Sequence, residues 1–210
     1  MSGKGLLFIV SAPSGAGKTS LCKAVLERIN HNSARELKWS CSYTTRKPRE
    51  GEKNGLDYFF VSDEEFERMV NNGEFAEWAM VHGHRYGTSK RYLAEAEERG
   101  IDLLLEIDCQ GARQLRQKYK QGYFIFILPP GLSELEQRLR KRRTESEEII
   151  KRRLERAKEE VEEYQFYDYI IINDDFETAV RELESIIISE RARRAVKEKE
   201  IEAIIKQFRR

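Results

Sequence analysis

The chain has 210 residues, a length at which one α/β domain with small inserted subdomains can bury an adequate core. Its 38 Lys and Arg residues nearly balance 37 Asp and Glu residues, which argues against a general attraction to nucleic acid or to a membrane. The three cysteines, Cys22, Cys41 and Cys109, form no CxxC pair, so a disulfide framework and a zinc site are both disfavoured and a cytoplasmic location is expected.

A loop of small residues is predicted between the first strand and the first helix. Residues 6–10 form a continuous apolar run, which is typical of a strand covered on both faces and is too short to cross a membrane. From residue 18 to about residue 29, apolar side chains recur at helical spacing. The phosphate loop, as residues 12–19 are called below, consists of Ala12, Pro13, Ser14, Gly15, Ala16, Gly17, Lys18 and Thr19.

This loop predicts phosphate binding. In the pattern GxxxxGK[ST], backbone N–H groups and the positive end of the following helix converge on phosphate oxygens. Lys18 is expected to reach the β- and γ-phosphates of a nucleotide, and Thr19 is expected to hold Mg²⁺. Ala12 stands where the pattern begins with glycine, while Gly15 and Gly17 still supply conformational freedom.

The remaining apolar runs predict a mainly parallel core sheet flanked by helices. Residues 101–107, 124–128 and 169–172 are interpreted as buried strands, and the segments between them have helical periodicity. Residues 39–88 differ, because they are rich in Gly, Tyr, Ser and Arg and contain short alternating runs. We interpret this stretch as a small mixed β insertion that binds the substrate.

The strand predicted at residues 101–107 ends in carboxylates, at the edge where open α/β sheets bind ligands. Glu106 or Asp108 is expected to orient Mg²⁺ or its waters, or to position an arginine at the substrate. The sequence leaves open which of the two does so. Gln110 and Gly111 are interpreted as a tight turn into the next helix.

Residues 133–163, called the lid below, are mostly charged and are predicted to be helical and largely solvated. Their basic residues include Arg138, Arg140, Lys141, Arg142, Arg143, Lys151, Arg152, Arg153 and Arg156. Arginines on a mobile segment can stabilise the charge of a transferring phosphoryl group while excluding water. Most of these cations are expected to pair with neighbouring glutamates, and only two or three to touch phosphate.

A second phosphate site is predicted within the insertion. Arg46 and Arg49 each offer a planar fork of donors, and Tyr58 offers a hydroxyl. This set of donors suits a phosphate monoester.

Ordered motifs along residues 6–190 resemble the guanylate kinase family. The matching segments are SAPSGAGKT at 11–19, TTRKPREGE at 44–52, GLDYFFV at 55–61, EFAEW at 74–78, YGT at 86–88, EIDCQG at 106–111, RTESEEIIKRRL at 143–154 and IIINDD at 170–175. The resemblance implies a P-loop kinase fold and an enzyme that transfers a phosphoryl group from ATP to GMP in the presence of Mg²⁺.

The resemblance also implies roles for individual residues. Those around the GMP phosphate would be Ser42, Arg46, Arg49, Tyr58 and Tyr86. Those that read guanine would be Glu77, Thr88, Ser42 and Asp108. The lid arginines would be Arg142 and Arg153, and Asn173 would lie near the adenine of ATP. Lys18, Arg46 and the two lid arginines form the expected catalytic set.

The chemistry of guanine supports this interpretation independently. Guanine presents N1–H and N2–H₂ as adjacent donors, so the Glu77 carboxylate can accept both, whereas adenine presents an acceptor at N1. Such a polar site discriminates by roughly 10⁴-fold, because the wrong base leaves buried groups unpaired. Two alternatives stay open: a non-catalytic module of related fold that binds phosphorylated peptides, and a P-loop kinase for another phosphorylated small molecule.

One domain of several parts is expected. The core comprises about residues 5–38, 89–132 and 164–190, with a GMP-binding subdomain at 39–88 and the lid at 133–163. An extra helix at about 191–210 carries an apolar stripe of Ile201, Ile204, Ile205 and Phe208. The stripe either packs on the same domain or forms a dimer contact, so the choice between a monomer and a homo-oligomer stays undecided.

Overall fold

The structure of the protein is a computed structural model that describes residues 5–33, 35–81, 83–141 and 146–209, with the backbone alone for Lys199. Its helices and strands in chain order are β1 (Leu7–Ser11), α1 (Lys18–Asn32), β2 (Leu37–Trp39), β3 (Ser42–Thr44), β4 (Tyr58–Phe60), α2 (Asp63–Asn71), β5 (Phe75–Val81), β6 (His84–Ser89), α3 (Lys90–Glu98), β7 (Asp102–Glu106), α4 (Cys109–Lys118), β8 (Tyr123–Leu128), α5 (Leu132–Lys141), α6 (Glu147–Glu160), β9 (Tyr169–Ile172), α7 (Phe176–Ala192) and α8 (Arg194–Phe208).

Parallel strands form the central sheet, in the order β2-β7-β1-β8-β9. Successive side chains of a strand point to opposite faces, so Phe8 and Val10 pack on one face with α1 and α7, while Ile9 packs on the other with α3 and α4. The strands are apolar on both faces because helices cover both. The predicted mainly parallel α/β core is confirmed.

A second sheet follows the order β4-β3-β6-β5, in which β3 and β4 are parallel and the other two pairs are antiparallel. The predicted mixed β insertion is therefore confirmed. The insertion also contains α2, which the sequence analysis did not predict. The Ser62 hydroxyl caps this helix by accepting a hydrogen bond from the Glu65 N–H, and Phe66 and Met69 pack with Phe75.

The described parts of the lid are helical, as expected. Its two helices, α5 and α6, share a small apolar cluster formed by Leu135, Leu139, Ile150 and Ala157. A 3-10 helix, Val161–Phe166, then connects α6 to β9 in the core sheet. The segment between α5 and α6, residues 142–145, lies outside the described residues, and with it the predicted lid residue Arg142.

The C-terminal helix, expected at about residues 191–210, is α8. Helix α7 runs to Ala192, and the extended backbone at Arg193 separates it from α8. In α8, Ile204 is 54% exposed and Phe208 is 87% exposed, so these side chains do not pack against the described core. No helix in the described part of the chain is long and apolar enough to span a membrane.

Candidate active site

A cleft of about 620 Å³ opens at the carboxyl ends of the core strands, between the phosphate loop, the second sheet and α6. Most of the residues singled out in the sequence line it: Ala12, Pro13, Ser14, Gly15, Ala16, Gly17, Lys18, Thr19, Ser42, Arg46, Arg49, Tyr58, Glu77, Tyr86, Asp108 and Arg153. Thr88 and Asn173 do not line the cleft but donate hydrogen bonds to Glu77 and Ala16, which do. The structure thus brings together the predicted residues that it describes.

The phosphate loop depends on its glycines. Gly15 and Gly17 have φ values of 96° and 90°, in the left-handed region that side chains rarely adopt. A Cβ at Gly17 would also lie 2.7 Å from Nδ2 of Asn173. That Nδ2 donates a 2.7 Å hydrogen bond to the Ala16 carbonyl. The buried Asn173 therefore supports the loop from below, while Ala12 packs into the core cluster.

Polar groups gather where the loop enters α1. Thr19 Oγ1 donates a 2.5 Å hydrogen bond to Oε1 of Glu106, and Lys18 Nζ lies 3.9 Å from the same oxygen. Lys18 also donates to the Ile107 carbonyl at 2.7 Å. Glu106 Oε2 is buried and accepts no hydrogen bond from the described residues. Of the two carboxylates left open by the sequence, Glu106 is the one in contact with Thr19.

Arg46 is held at the opposite side of the cleft. Its Nε donates to Oη of Tyr86 at 3.2 Å, its Nη2 donates to Oε1 of Glu52 at 2.8 Å, and its guanidinium lies 5.4 Å from the centre of the Tyr58 ring. Burial raises the pKa of the Tyr58 hydroxyl, so this group remains a neutral donor. Glu52 also accepts a hydrogen bond from the Arg49 N–H, while the Arg49 side chain is exposed.

Glu77 is the buried carboxylate of the cleft, with 4% of its surface exposed. Thr88 Oγ1 donates to its Oε1 at 2.5 Å. Burial, together with the charge of Asp108, raises the pKa of Glu77 to about 7, although the Thr88 hydrogen bond opposes the shift. Ser42, also buried, lines the same cleft.

Gly111 lies in the first turn of α4 rather than in a turn before it, so the interpretation of a tight turn was wrong. Asp108 is the residue that precedes the helix, and its Oδ1 accepts a 2.8 Å hydrogen bond from the Gly111 N–H. A Cβ at Gly111 would lie 2.2 Å from Oε2 of Glu77. The missing side chain is what allows Glu77 to approach α4.

The lid behaves largely as a solvated charged helix pair. Arg140 pairs with Glu136 and Arg152 pairs with Glu148, each within its own helix. Arg153 lines the cleft. Sequence reasoning gave no role to Glu52, Arg156 or Glu160. Arg156 and Glu160 contact segments far away in the chain, and Glu52 contacts Arg46, six residues before it, within the segment between β3 and β4.

Similarity to known proteins agrees with this geometry. The family model described as guanylate kinase matches residues 4–190. The chain is 53% identical over 193 residues to the guanylate kinase of Geobacter metallireducens, covering 92% of this chain and 93% of the relative. It is 50% identical to the guanylate kinase of Carboxydothermus hydrogenoformans, covering 90% of each. The crystal structure of guanylate kinase from Anaplasma phagocytophilum aligns with a TM-score of 0.72 at 31% identity, covering 93% of this chain and 91% of that chain.

Proposed function

The chain belongs to the guanylate kinase family and is therefore a nucleoside monophosphate kinase that phosphorylates GMP. We propose that ATP and GMP bind side by side in the cleft described above. The observation that carries this proposal is the position of Glu77. This buried carboxylate shares one cleft with the phosphate loop, so a base that donates two hydrogen bonds and a triphosphate can be held together. We assign Thr88 and Asp108, together with Glu77, to the recognition of guanine.

Mg²⁺ fits the oxygen atoms beside the phosphate loop. The Thr19 hydroxyl and the Glu106 carboxylate are adjacent, and Glu106 Oε2 is buried without a hydrogen bond from the described residues. Hydroxyl and carboxylate oxygens are the donors that Mg²⁺ prefers, directly or through water. We assign Thr19 and Glu106 to the ion, which neutralises negative charge on the ATP phosphates when it is bound.

The reaction needs alignment more than proton removal. A phosphate monoester has a second pKa near 6, so the attacking oxygen of GMP is largely ionised at neutral pH and needs no side-chain base. We assign the binding of that phosphate to Arg46, Ser42, Arg49, Tyr58 and Tyr86. Lys18 binds the phosphates of ATP, and stabilisation of the developing charge provides most of the barrier lowering.

The lid supplies further positive charge as it closes over both nucleotides. Arg153 lines the cleft on α6 and approaches the transferring phosphoryl group in the proposal. Arg142 is assigned to the same task on the family resemblance alone. Asn173 holds the phosphate loop through Ala16, and its contact with the adenine of ATP stays a prediction.

Turnover with each nucleoside monophosphate tests the proposal. In a coupled assay with ATP and Mg²⁺, GMP is expected to exceed AMP by roughly 10⁴-fold in kcat/KM. Equal turnover of AMP and GMP would contradict the guanine assignment, and phosphopeptide binding without turnover would favour the non-catalytic module. Glu77→Gln is expected to lower the preference for GMP. The control Glu74→Gln alters a half-buried carboxylate that pairs with Arg68 and does not line the cleft.

A further inference from the structure

One face of α6 points into the cleft and carries a pair of opposite charges. Arg153, Arg156 and Glu160 follow one another at helical spacing, so they share a side of the helix. Arg153 and Glu160 both line the cleft. Arg156 Nε donates a 2.7 Å hydrogen bond to Oε1 of Glu160. This ion pair lies between the two halves of the nucleotide site.

Glu160 contacts the half that binds ATP. Its Oε2 accepts a 3.2 Å hydrogen bond from the backbone N–H of Ser14, in the phosphate loop. The N–H groups of such a loop are the groups that bind phosphate oxygens. A carboxylate at this position repels a triphosphate unless a nearby cation balances its charge.

Arg156 contacts the half that binds GMP. Its Nη2 lies 3.8 Å from Oδ2 of Asp108, a buried oxygen that accepts no hydrogen bond from the described residues. The same guanidinium therefore lies between two carboxylates, Glu160 beside the phosphate loop and Asp108 beside Glu77. Its side chain is 28% exposed, so solvent screens these interactions only in part.

We propose that Arg156 is a positioning residue that balances Glu160 and Asp108 together and so joins the lid to both halves of the nucleotide site. This inference rests on the function proposed above. The pair fixes the end of α6 at Ser14 and at Asp108, which sets the distance of Arg153 from the phosphate loop. Without Arg156, Glu160 and Asp108 keep their hydrogen bonds to backbone N–H groups but lose the cation that joins them, beside two anionic substrates.

The charges predict a distinctive response to mutation. Arg156→Gln is expected to lower kcat/KM by about 10-fold for both ATP and GMP, the size of effect of a charge several ångströms away at intermediate dielectric. Adding Glu160→Gln removes the carboxylate beside the phosphate loop. The double variant is therefore expected to recover kcat/KM for ATP to within about threefold of wild type, while GMP stays impaired because Asp108 remains unbalanced.

Steady-state kinetics with each nucleotide varied in turn test this expectation, after melting curves establish that each variant is folded. The matched control is Arg152→Gln with Glu148→Gln, an i,i+4 pair on the same helix whose side chains are 74% and 75% exposed. The control is expected to stay within about twofold of wild type. Arg156→Lys, which keeps the charge, is expected to retain most activity with both nucleotides.

Three results would overturn the inference: an Arg156→Gln variant that behaves like the control, a double variant as impaired with ATP as Arg156→Gln, or an Arg156→Lys variant as impaired as Arg156→Gln. Wild-type protein without GMP turnover would instead contradict the proposed function. The two failures are therefore distinguishable.

Discussion

The proposed role of Glu77 in reading guanine predicts that GMP binding depends on pH. With a pKa of about 7, the buried carboxyl is largely protonated below neutrality, whereas guanine N–H donors require the ionised form. The unfolded chain releases this proton near pH 4.5, so the raised pKa makes ligand-free stability fall as pH rises from about 4.5 to 7. GMP binding is therefore expected to release a proton below pH 7 and to strengthen as pH rises to about 7.

Calorimetry of GMP binding in buffers of different ionisation enthalpy measures the released proton. The phosphate of GMP also titrates, with a pKa near 6. On binding GMP, the Glu77→Gln variant should still show the change in protonation of the phosphate but should release no proton from residue 77. The measurement uses GMP concentrations that saturate the variant. Equal proton release by both proteins at pH 7 would show that Glu77 is already ionised before GMP binds.

Gly111 is expected to be required for the position of Glu77. A Cβ at residue 111 would meet Glu77 Oε2 at 2.2 Å, although alanine is otherwise favourable in a helix. Overpacking of this kind costs about 1–3 kcal/mol, so Gly111→Ala should lower kcat/KM for GMP by at least about fivefold. Its effect on KM for ATP should be small, because the phosphate loop is untouched.

Steady-state kinetics check this prediction, with Gly131→Ala as the control, since a Cβ at Gly131 meets no atom within 4 Å. If Gly111→Ala kept the wild-type kcat/KM for GMP, Glu77 would not need its present position.

Sequence reasoning could place those residues of the proposed site that belong to a local motif. Lys18 and Thr19 follow a strand and open a helix, so their position at the sheet edge could be inferred from the chain alone. Glu52, Gly111 and Glu160 could not be found in this way. The contacts of Gly111 with Glu77 and of Glu160 with Ser14 depend on how separate segments pack, and no spacing in the sequence encodes those distances. The contact of Glu52 with Arg46, six residues before it, depends on the conformation of the segment between β3 and β4.

At the level of elements, long segments with a clear apolar pattern were predictable. A short helix with few buried side chains was not. The core strands are continuous apolar runs, and their parallel arrangement was predicted. Helix α2 has nine residues and only two buried side chains, Phe66 and Met69, so its signal was too weak to separate from the surrounding strands. Helix α7 ends at Ala192, and its charged residue Arg191 is buried, which periodicity alone does not indicate.

Arg191 gives α7 a function in stability. Its Nε donates a 2.8 Å hydrogen bond to Asp102, a fully buried carboxylate that also accepts from Leu6 N–H and from Arg35. A chain that ends at Glu190 loses this partner and is expected to lose about 3 kcal/mol of unfolding free energy, or roughly 10 °C in Tm. A chain that ends at Arg193 loses only the exposed α8 and should stay within about 3 °C of wild type.

Thermal unfolding of the two truncated chains checks this prediction, and Arg191→Met in the full chain should reproduce the larger loss. Equal melting temperatures for the chains that end at residues 190 and 193 would show that Arg191 is not needed to balance Asp102. Sedimentation of the chain that ends at Arg193, compared with that of the full chain, then tests whether the stripe on α8 forms a dimer contact.

At the scale of the whole molecule, three parts of the fold meet at one cleft. The second sheet is held on the core by α4, where Gln114 exchanges hydrogen bonds with the backbone of Trp78 and Lys118 donates to the Ala76 carbonyl. The core provides the phosphate loop, the second sheet provides Arg46 and Glu77, and the lid provides Arg153. The groups proposed for ATP and for GMP therefore belong largely to different parts of the fold.

This separation predicts that chemistry and GMP binding can be uncoupled. Lys18→Ala removes a cation from the phosphate loop but leaves Arg46, Glu77 and Thr88 in place, so turnover should fall by at least about 10²–10³-fold. GMP at 100 times its Kd should still stabilise the variant by about 2.7 kcal/mol, as expected for wild type at the same ratio. Coupled-assay rates and melting curves with GMP measure the two effects, with Lys158→Ala as the control, since that lysine pairs with Glu155 on the exposed side of α6.

A Lys18→Ala variant with a near-normal rate would refute the role of the phosphate loop. Loss of GMP stabilisation in this variant would show that the two halves of the cleft depend on each other even before ATP binds.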